Sequence, residues 1–287
     1  MTQLTRRLVI VFALCAVLLL AASLAAGQGD NPFNYPLELL TPEVLDVRPH
    51  DTSAYTQGLL LYDGLLYEST GNGTGTITTL REVDPATGEV LRQLDIGTDV
   101  FGEGLTRVGD QLIQITWQSH VAFVYDLATF EQVGEFEYEG EGWGLCTDGD
   151  YLVMSDGTEF LQIRDAETFD LIMRAVVTIQ GMPLSQFTVQ SRPLSRLNEL
   201  ECVSDAVYAN VWQTDYILRI DRMTGVVTGV IDATGLLTEE ERAGFNAQQV
   251  LNGIVYLPES DTFLITGKEW PHMYEVRFVV QEDAPAE

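Results

Sequence analysis

One acid and one lysine stand out as side chains able to do chemistry. Glu103 lies between two glycines in the run Phe101-Gly102-Glu103-Gly104-Leu105. Lys268 follows the apolar run 263–267, where a lysine is unusual. An acid and a base that share a site can move protons during a reaction. Each residue also has an ordinary explanation, since Glu103 could end a strand and Lys268 could lie on the surface. Their positions in the pattern of the chain must distinguish a functional role from these explanations.

The sequence around Glu103 belongs to a repeated unit. Each copy begins with a pair such as Gly-Leu and reaches a polar end about a dozen residues later, with a Gly- or Asp-containing turn between them. Short apolar runs on both sides of such a turn are typical of a β-hairpin. Five copies begin at Gly58-Leu59, Gly104-Leu105, Gly144-Leu145, Glu199-Leu200 and Gly253-Ile254.

A second motif, Asp-x-x-Thr followed by Gly or Phe, ends another strand in four of these units. Its aspartates are Asp84, Asp126, Asp165 and Asp221, which lie 42, 39 and 56 residues apart. Aspartate at the start of a turn accepts hydrogen bonds from the backbone N–H groups that follow it. Two hairpins in each unit and a period near 40–45 residues indicate a β-propeller.

We therefore predict an all-β fold over residues 44–280, a five-bladed β-propeller with four-stranded antiparallel blades. The last unit lacks a fourth strand, and residues 44–48 are expected to supply it and close the ring, which removes an exposed edge. Insertions are expected around residues 180–197 and 233–249. The second insertion contains a helical turn that begins at Thr238.

The N-terminus has the pattern of an export signal. Arg6 and Arg7 precede an apolar stretch, and Ser23-Leu24-Ala25 offers a small-x-small cleavage pattern. We expect a signal peptide in residues 1–26, with an uncleaved membrane anchor as the alternative, and a linker in residues 27–43. Residues 281–287 read as an acidic tail. The predicted location is therefore secreted, periplasmic or on the cell surface.

Charge and composition exclude several kinds of partner. The chain of 287 residues carries a formal net charge of −28, which disfavours nucleic acid and anionic membrane surfaces. His50, His120 and His272 lack metal-ligand spacing, which disfavours a zinc site, and no cofactor is expected. We expect a monomer. Cys146 and Cys202 remain after the signal segment, and the sequence leaves open whether they pair or stay free thiols.

Equivalent residues of the blades are expected to meet at one end of the ring. Before the first strand they include an acid and several amides, and after the second strand they include tryptophans and a lysine. Such a mixture suits a small polar ligand between aromatic walls, although scattered tryptophans would as readily pack in a core. Which of Asn198, Glu199 and Glu201 faces the site stays open. The converging positions are Gln57, Glu103, Trp143, Asn198 or Glu199, Asn252, Glu68 or Ser69, Trp117, Asp156, Trp212 and Lys268.

The same segments resemble the plant and bacterial type of glutaminyl-peptide cyclotransferase, a family of five-bladed propeller enzymes. The likeness spans about residues 50–277 and is carried by several motifs at once. They are Ala54-Tyr55-Thr56-Gln57-Gly58-Leu59, Phe101-Gly102-Glu103-Gly104-Leu105-Thr106, Gly142-Trp143-Gly144-Leu145, Leu197-Asn198-Glu199-Leu200, Asn210-Val211-Trp212 and Thr266-Gly267-Lys268-Glu269-Trp270-Pro271.

The resemblance implies roles for nine residues. The acid of the Phe-Gly-Glu motif is catalytic in that family, so Glu103 and Lys268 are expected to be the catalytic residues. Tyr55 stands where the family usually has phenylalanine, which affects the fit of the substrate. The implied substrate-binding residues are Tyr55, Gln57, Phe101, Trp117, Trp143, Asn198 and Trp212.

The reaction implied is conversion of an N-terminal glutamine of a peptide or protein to pyroglutamate with release of ammonia, without a metal. Glu103 is expected to take a proton from the α-amine and to return one to the leaving nitrogen. Lys268, Gln57 and Asn198 are expected to hold the carboxamide oxygen. Two alternatives stay open: a calcium-dependent, lactonase-like propeller hydrolase with Glu103, Asn198 and Asn252 as ligands, and an exported binding propeller without catalysis.

Overall fold

A computed structural model describes residues 36–73 and 76–281, and strands dominate this part of the chain. Three sheets each contain four antiparallel strands in chain order. The first consists of β2 (Thr56–Tyr62), β3 (Leu65–Thr70), β4 (Thr78–Val83) and β5 (Val90–Gly97). The second consists of β6 (Gly102–Val108), β7 (Gln111–Thr116), β8 (Val121–Asp126) and β9 (Gln132–Glu137). The third consists of β10 (Leu145–Thr147), β11 (Tyr151–Ser155), β12 (Phe160–Asp165) and β13 (Leu171–Val176).

Two short hairpins interrupt the pattern in the first predicted insertion. They pair β14 (Thr178–Ile179) with β15 (Met182–Pro183) and β16 (Thr188–Val189) with β17 (Arg192–Pro193), and the 3-10 helix Leu184–Gln186 lies between them. In the second insertion, helix α1 (Glu239–Ala243) begins after Thr238. The Thr238 and Glu241 side chains form a capping box there, as the sequence predicts.

The remaining strands form one eight-stranded sheet, which contains two further sets of four. The strands are β1 (Glu38–Pro49), β18 (Leu197–Val203), β19 (Ala206–Val211), β20 (Tyr216–Asp221), β21 (Val227–Asp232), β22 (Leu251–Leu257), β23 (Thr262–Gly267) and β24 (His272–Val280). Their order is β18-β19-β20-β21-β1-β24-β23-β22. The predicted all-β fold with four-stranded antiparallel units is confirmed.

The first strands of the five sets contact one another in a closed cycle. The contacts run from β2 to β6, β10, β18 and β22, and from β22 back to β2. This cyclic order is the one that a propeller ring requires. The count of five blades stays a prediction, and the cyclic order supports it.

Strand β1 completes the last set of strands, as predicted for residues 44–48. It pairs antiparallel with β24, from Leu40 opposite Val280 to Pro49 opposite His272. One boundary differs from the prediction. The sequence places a linker up to residue 43, whereas β1 begins at Glu38, because its first residues also pair in parallel with β21 and Leu40 is only 3% exposed. The apolar side chain of Leu40 is buried there, which favours strand over linker.

The Asp-x-x-Thr motif forms the turns that the sequence predicts. Asp84 Oδ1 accepts hydrogen bonds from the N–H groups of Ala86 and Thr87 at 2.8 and 2.9 Å. Equivalent bonds occur at the other three aspartates. The residue after the threonine adopts a left-handed backbone in each case, including Phe130 with φ 62° and Phe169 with φ 63°.

Glycines at the start of the innermost strands allow neighbouring sheets to approach closely. A Cβ atom on Gly104 would lie 2.4 Å from the backbone nitrogen of Leu145, and one on Gly144 would lie 2.0 Å from the carbonyl oxygen of Asn198. Real Cβ atoms do not come so close to backbone atoms. The repeated Gly-Leu pair is therefore a packing requirement of the ring, and the leucine that follows is buried between the sheets.

The hydrophobic core is divided into clusters that lie between neighbouring sheets. Leu59, Leu66 and Val83 of the first sheet pack with Val255 and Leu264 of the last set of strands. A separate cluster joins the second sheet to the third. Each sheet thus buries both faces, which explains why the strands read as short apolar runs.

Some predicted features lie outside the described residues. These are the signal peptide in residues 1–26, residues 27–35 of the linker, and residues 282–287 of the acidic tail. Within the described ranges, no helix is both long enough and apolar enough to cross a membrane.

A disulfide joins Cys146 of β10 to Cys202 of β18, which settles the alternative that the sequence leaves open. The two Cα atoms are 5.6 Å apart, and the residues are separated by 56 positions in sequence. The bond therefore links the innermost strands of two neighbouring sets.

Removal of this disulfide is expected to lower the free energy of unfolding by about 2–4 kcal/mol, because the unfolded chain gains the freedom of a long loop. Urea denaturation of Cys146→Ala, Cys202→Ala and the double variant measures the loss. Either single substitution breaks the same link, so the double variant is expected to lose little more than a single one. An unchanged denaturation midpoint in all three variants would contradict this role.

Candidate active site

One cavity of about 280 Å³ is lined by all nine side chains that the resemblance assigns to the site. Of the converging positions that the repeat predicts, Glu68, Ser69, Asp156, Glu199 and Asn252 do not line it. It is open at one side and is formed at the ends of the innermost strands and in the loops beside them. Ten side chains line it, and nine of them are predicted. The lining residues are Tyr55, Gln57, Phe101, Glu103, Trp117, Trp143, Asn198, Trp212 and Lys268, with Gln248 in addition.

Irregular pairing at the start of the innermost strands places the polar side chains. The register between β6 and β7 shifts around Glu103. Equivalent shifts surround Gln57 in β2, Asn198 in β18 and Asn252 in β22. Such a β-bulge takes a residue out of the regular in-and-out alternation and redirects its side chain. The same local irregularity therefore recurs at each predicted polar position of this column.

The residues that follow the second strands are held by one repeated backbone hydrogen bond. In four sets, the N–H group after the second strand donates to the carbonyl oxygen of the residue before the first strand. This bond makes Trp117, Trp212 and Lys268 equivalent, as the repeat predicts. The donor and acceptor pairs are Gly71 and Tyr55, Trp117 and Phe101, Trp212 and Arg196, and Lys268 and Val250, each at 2.9 Å.

Glu103 is 5% exposed, and only one of its oxygens is bonded. Its Oε1 accepts a hydrogen bond from Gln57 Nε2 at 3.0 Å, and Gln57 Oε1 accepts one from Asn252 Nδ2 at 3.2 Å. Its Oε2 is buried and has no hydrogen-bond partner within residues 36–73 and 76–281. Burial raises the pKa of Glu103 well above its ordinary value, the charge of Lys268 opposes this rise, and the charge of Glu141 adds to it.

The resemblance implies that Gln57 holds the carboxamide oxygen of the substrate, but the structure shows a different role for it. Its amide nitrogen donates to the Glu103 carboxylate, and its amide oxygen is held by Asn252. Gln57 therefore orients Glu103.

Lys268 is the only lysine among the 287 residues, since every other basic side chain apart from the histidines is an arginine. It is 2% exposed, and its Nζ lies 4.9 Å from the centre of the Tyr55 ring. Burial lowers the pKa of Lys268 to about 8, although the charge of Glu103 acts in the opposite direction. Arginine stays protonated throughout the physiological range, so only lysine can be neutralised here.

The cavity offers polar atoms that the protein itself leaves unpaired. Buried Glu103 Oε2 and Asn198 Oδ1 are acceptors with no partner in the described part of the chain. Lys268 forms no ion pair within 4.0 Å with a described acid, so its ammonium group can donate to a ligand. A ligand that brings N–H donors and one carbonyl acceptor would satisfy these groups.

Aromatic side chains form the walls of the cavity. Tyr55 and Phe101 have ring centres 6.0 Å apart, and Phe101 and Trp117 have ring centres 5.9 Å apart, both edge to face. Trp143 and Trp212 form a second edge-to-face pair with ring centres 5.3 Å apart. Such walls exclude water and leave orientation to the few polar groups.

Sequence reasoning missed two residues at the cavity. Gln248 arrives from the second insertion, which has no counterpart in the other units, so no repeat position indicates it. Glu141 accepts hydrogen bonds from two of the tryptophans but is one of 43 acidic residues, and nothing in its sequence neighbourhood distinguishes it. The uniqueness of Lys268 is a signal that the sequence does carry.

The acids beside Asn198 are structural. Glu199 Oε2 accepts a hydrogen bond from the N–H of Ile254, and Glu201 Oε1 accepts one from the N–H of Tyr256, both across to β22. Burial raises the pKa of both carboxyls. Asn198 is therefore the member of this group that lines the cavity.

Trp270 is buried behind the site, and its Nε1 donates to the carbonyl oxygen of Gln249.

A buried contact between His50 and Glu68 supports the loop that carries Lys268. His50 Nε2 lies 3.0 Å from Glu68 Oε1, and His50 Nδ1 lies 2.8 Å from the carbonyl oxygen of Trp270. Burial alone would lower the pKa of His50, but the Glu68 carboxylate raises it overall. The N–H of Glu269 also donates to the carbonyl oxygen of Ala54 at 2.7 Å. These bonds hold Tyr55 and Lys268 on facing segments.

The fold and the cavity define a propeller with a small-ligand site at the ends of its innermost strands, and comparison with known proteins gives the family. A family model described as glutamine cyclotransferase matches residues 13–278. A glutaminyl-peptide cyclotransferase from Arabidopsis thaliana is 38% identical over 241 residues, which cover 82% of this chain and 70% of the relative. The crystal structure of Myxococcus xanthus glutaminyl cyclase is 35% identical, with a TM-score of 0.76, and the match covers 86% of this chain and 100% of that chain. The chain belongs to the glutamine cyclotransferase family.

Lys268→Met is expected to make the protein more stable at pH 7. Burial lowers the pKa of Lys268 from 10.5 to about 8, so the unfolded state binds this proton more tightly than the folded state does. Below pH 8, the folded protein therefore carries a buried charge at a cost of up to about 3 kcal/mol. Methionine has a similar length and removes that cost.

The gain in stability is expected to be full below about pH 8, to shrink as the pH rises, and to vanish only above 10.5, where the lysine is neutral in both states. Urea denaturation at several pH values measures it. A Lys268→Met variant that is less stable than the wild type at pH 7 would show that the lysine stabilises the fold, contrary to this expectation.

Proposed function

We propose that this protein is a glutaminyl-peptide cyclotransferase, which converts an N-terminal glutamine of peptides or proteins to pyroglutamate and releases ammonia. The observation that carries the proposal is the buried Glu103, whose Oε2 has no partner among the described residues, in the same cavity as the chain's only lysine. Membership of the glutamine cyclotransferase family supports the same reaction.

The unpaired polar atoms of the cavity match the groups of an N-terminal glutamine. Its α-amine and its carboxamide nitrogen are donors, and the cavity offers the acceptors Glu103 Oε2 and Asn198 Oδ1. Its carboxamide oxygen is an acceptor, and Lys268 offers a cationic donor. The aromatic walls enclose the aliphatic part of the side chain. A bound glutamine is thereby folded so that its amine lies near its own carboxamide.

In the first step, the α-amine nitrogen attacks the carboxamide carbon, and a new N–C bond closes the five-membered ring. The amine must be neutral to attack, and an N-terminal amine has an ordinary pKa of about 7.7–8.0. Glu103 in its carboxylate form takes the proton that the amine loses. Because nucleophile and electrophile belong to one residue, holding the folded conformer contributes much of the rate, as effective molarities of about 10⁵–10⁸ M in intramolecular reactions show.

In the second step, the C–N bond to the carboxamide nitrogen breaks and ammonia leaves. Glu103 returns its proton to that nitrogen, so a single carboxyl acts first as base and then as acid. The raised pKa of Glu103, which results from its burial, suits a group that must both accept and donate a proton near neutral pH. Lys268 stabilises the negative charge that develops on the carboxamide oxygen between the two steps.

The walls of Trp117, Trp143 and Trp212 keep water away from the carboxamide carbon. Water is the competing nucleophile, and its attack would give glutamate in place of pyroglutamate. Exclusion of water also strengthens the charge interactions of Glu103 and Lys268 with the substrate. The aromatic walls and the two charged groups therefore act on the same step.

The calcium-dependent hydrolase that the sequence leaves open would use Glu103, Asn198 and Asn252 as ligands. Family membership favours the cyclase. In the structure, Asn252 Nδ2 donates to the Thr56 carbonyl oxygen and to Gln57 Oε1. Asn252 thereby holds Gln57, which in turn orients Glu103. We propose that catalysis is metal-independent.

We also propose that the protein acts outside the cytoplasm as a monomer, directed by residues 1–26 as a signal peptide or anchor. The disulfide between Cys146 and Cys202 supports this location, because such bonds persist in oxidising compartments.

Ammonia release from a short peptide that begins with glutamine tests the proposal. The wild type is expected to release one ammonia per peptide with or without a chelator, and Glu103→Gln is expected to lose about 10²–10⁴-fold in kcat because no group can carry the proton.

Lys268→Arg is expected to lose activity as well, although it keeps the charge, because the larger guanidinium does not fit the site of the ammonium.

The matched substrate control is the same peptide with an acetylated N-terminus. It keeps the carboxamide but blocks the amine, so a cyclase releases no ammonia from it, whereas an amidase does. Ammonia from the acetylated peptide, loss of activity with chelator, or near-normal turnover by Glu103→Gln would each contradict the proposed mechanism.

A further inference from the structure

The aromatic side chains around the cavity form two series of ring contacts, and a carboxylate joins one series to the other. Tyr55, Phe101 and Trp117 form one series of ring contacts, and Trp143 and Trp212 form another. The two series are joined by hydrogen bonds through Glu141, which lies in the segment between β9 and β10.

Glu141 accepts from both indoles with a single oxygen. Its Oε2 lies 2.8 Å from Trp117 Nε1 and 2.9 Å from Trp143 Nε1. Its Oε1 accepts a third hydrogen bond, from Gln118 Nε2 at 2.8 Å. Bonds from N–H groups to an ionised carboxylate are about twice as strong as neutral ones. Burial acts to raise the pKa of Glu141, but these three donors lower it overall, so the carboxylate form is favoured.

The backbone around Glu141 is fixed on both sides, so the carboxylate has a defined position. The carbonyl oxygen of Gly140 lies 2.8 Å from His120 Nδ1. The N–H of Gly142 donates to the carbonyl oxygen of Trp117 at 3.1 Å. A Cβ atom on Gly142 would lie 2.5 Å from the Tyr138 hydroxyl, which leaves room only for glycine. The acid is therefore held beside the two rings by the main chain.

The hydrogen bonds to Glu141 fix ring orientations that packing alone leaves open. Trp117 is 38% exposed, so packing alone does not determine how its ring stands at the mouth of the cavity. With both indole N–H groups bonded to Glu141, neither is free to donate to Glu103 or to a bound ligand. The polar contacts to a ligand are then left to Glu103, Asn198 and Lys268.

We propose that Glu141 is a positioning residue of the active site, which fixes the orientation of Trp117 and Trp143 by accepting both of their indole N–H groups. The kinetic part of this proposal rests on the cyclase function proposed above. The orientation of the two rings does not depend on it and can be measured separately.

Three variants separate geometry from charge. Glu141→Ala removes the acceptor and the charge, and Glu141→Gln removes the charge but keeps an amide oxygen for the indoles. Glu139→Gln is the matched control. It removes the same charge two residues away, from an exposed side chain to which neither indole is bonded.

The direct readout is hydrogen exchange of the four indole N–H groups, followed by NMR. In Glu141→Ala, the signals of Trp117 and Trp143 are expected to shift and to exchange several-fold faster, while those of Trp212 and Trp270 stay as in the wild type. Glu141→Gln is expected to keep most of the protection. Unchanged exchange of Trp117 and Trp143 in Glu141→Ala would overturn the proposal.

The kinetic readout is kcat/KM for a peptide that begins with glutamine. Glu141→Ala is expected to lose about tenfold, which corresponds to one charge-assisted hydrogen bond. Glu141→Gln is expected to recover most of this loss, and Glu139→Gln is expected to match the wild type. Equal losses in Glu141→Ala and Glu141→Gln would show that charge, and not ring orientation, matters, and would overturn the proposal. If the wild type releases no ammonia but Glu141→Ala still frees the two indoles, the proposed function fails and the positioning role stands.

Discussion

The rest of the site depends on the burial of Glu103 and Lys268 in one cavity, where neither forms an ion pair within 4.0 Å with a residue that the structure describes. Removing a charged group from water costs several kcal/mol unless a partner compensates. In this cavity the compensation is incomplete. Glu103 Oε2 has no hydrogen-bond partner in the described residues, and the Lys268 ammonium lies over the face of Tyr55 without a described acid within 4.0 Å. The pKa of the acid is raised by its burial and that of the lysine is lowered by its burial. Both shifts bring the groups towards neutral pH, where a proton can move at little cost. The apolar clusters between sheets and the disulfide stabilise the fold against this cost.

The close approach of the innermost strands produces this arrangement. Glycines such as Gly104 and Gly144 let neighbouring strands come near enough that a Cβ atom would not fit between them. A register shift at the same place redirects Glu103 out of the regular alternation and into the cavity. One residue after the second strand of these hairpins, the repeated backbone bond holds Trp117, Trp212 or Lys268 at an equivalent position, and all three line the cavity. The fold thus presents one side chain from each repeat at one place, and different residue types at equivalent positions make the chemistry.

The repeat is the reason that so much could be predicted from the sequence. It gives the strands, the Asp-x-x-Thr turns and the two columns of residues that meet at the cavity, because each is a local pattern that recurs. Contacts between segments that are distant in sequence leave no local pattern. The features that depend on such contacts could not be predicted. The pairing of Cys146 with Cys202 depends on the distance between two sheets. Gln248 comes from an insertion without a counterpart, and Glu141 is one acid among many. The start of β1 at Glu38 depends on its parallel pairing with a strand about 190 residues away.

The most direct test of this account is the pKa of Lys268 itself. Because Lys268 is the only lysine, protein labelled with ¹³C and ¹⁵N in lysine gives one side-chain signal that needs no assignment. We expect this signal to titrate with a midpoint of about 8. We expect the midpoint to fall further in Glu103→Gln, because the carboxylate that favours the ammonium form is then gone. A midpoint near the ordinary value of 10.5 that is unaffected by Glu103→Gln would contradict the claim that the two groups share a buried, water-poor site.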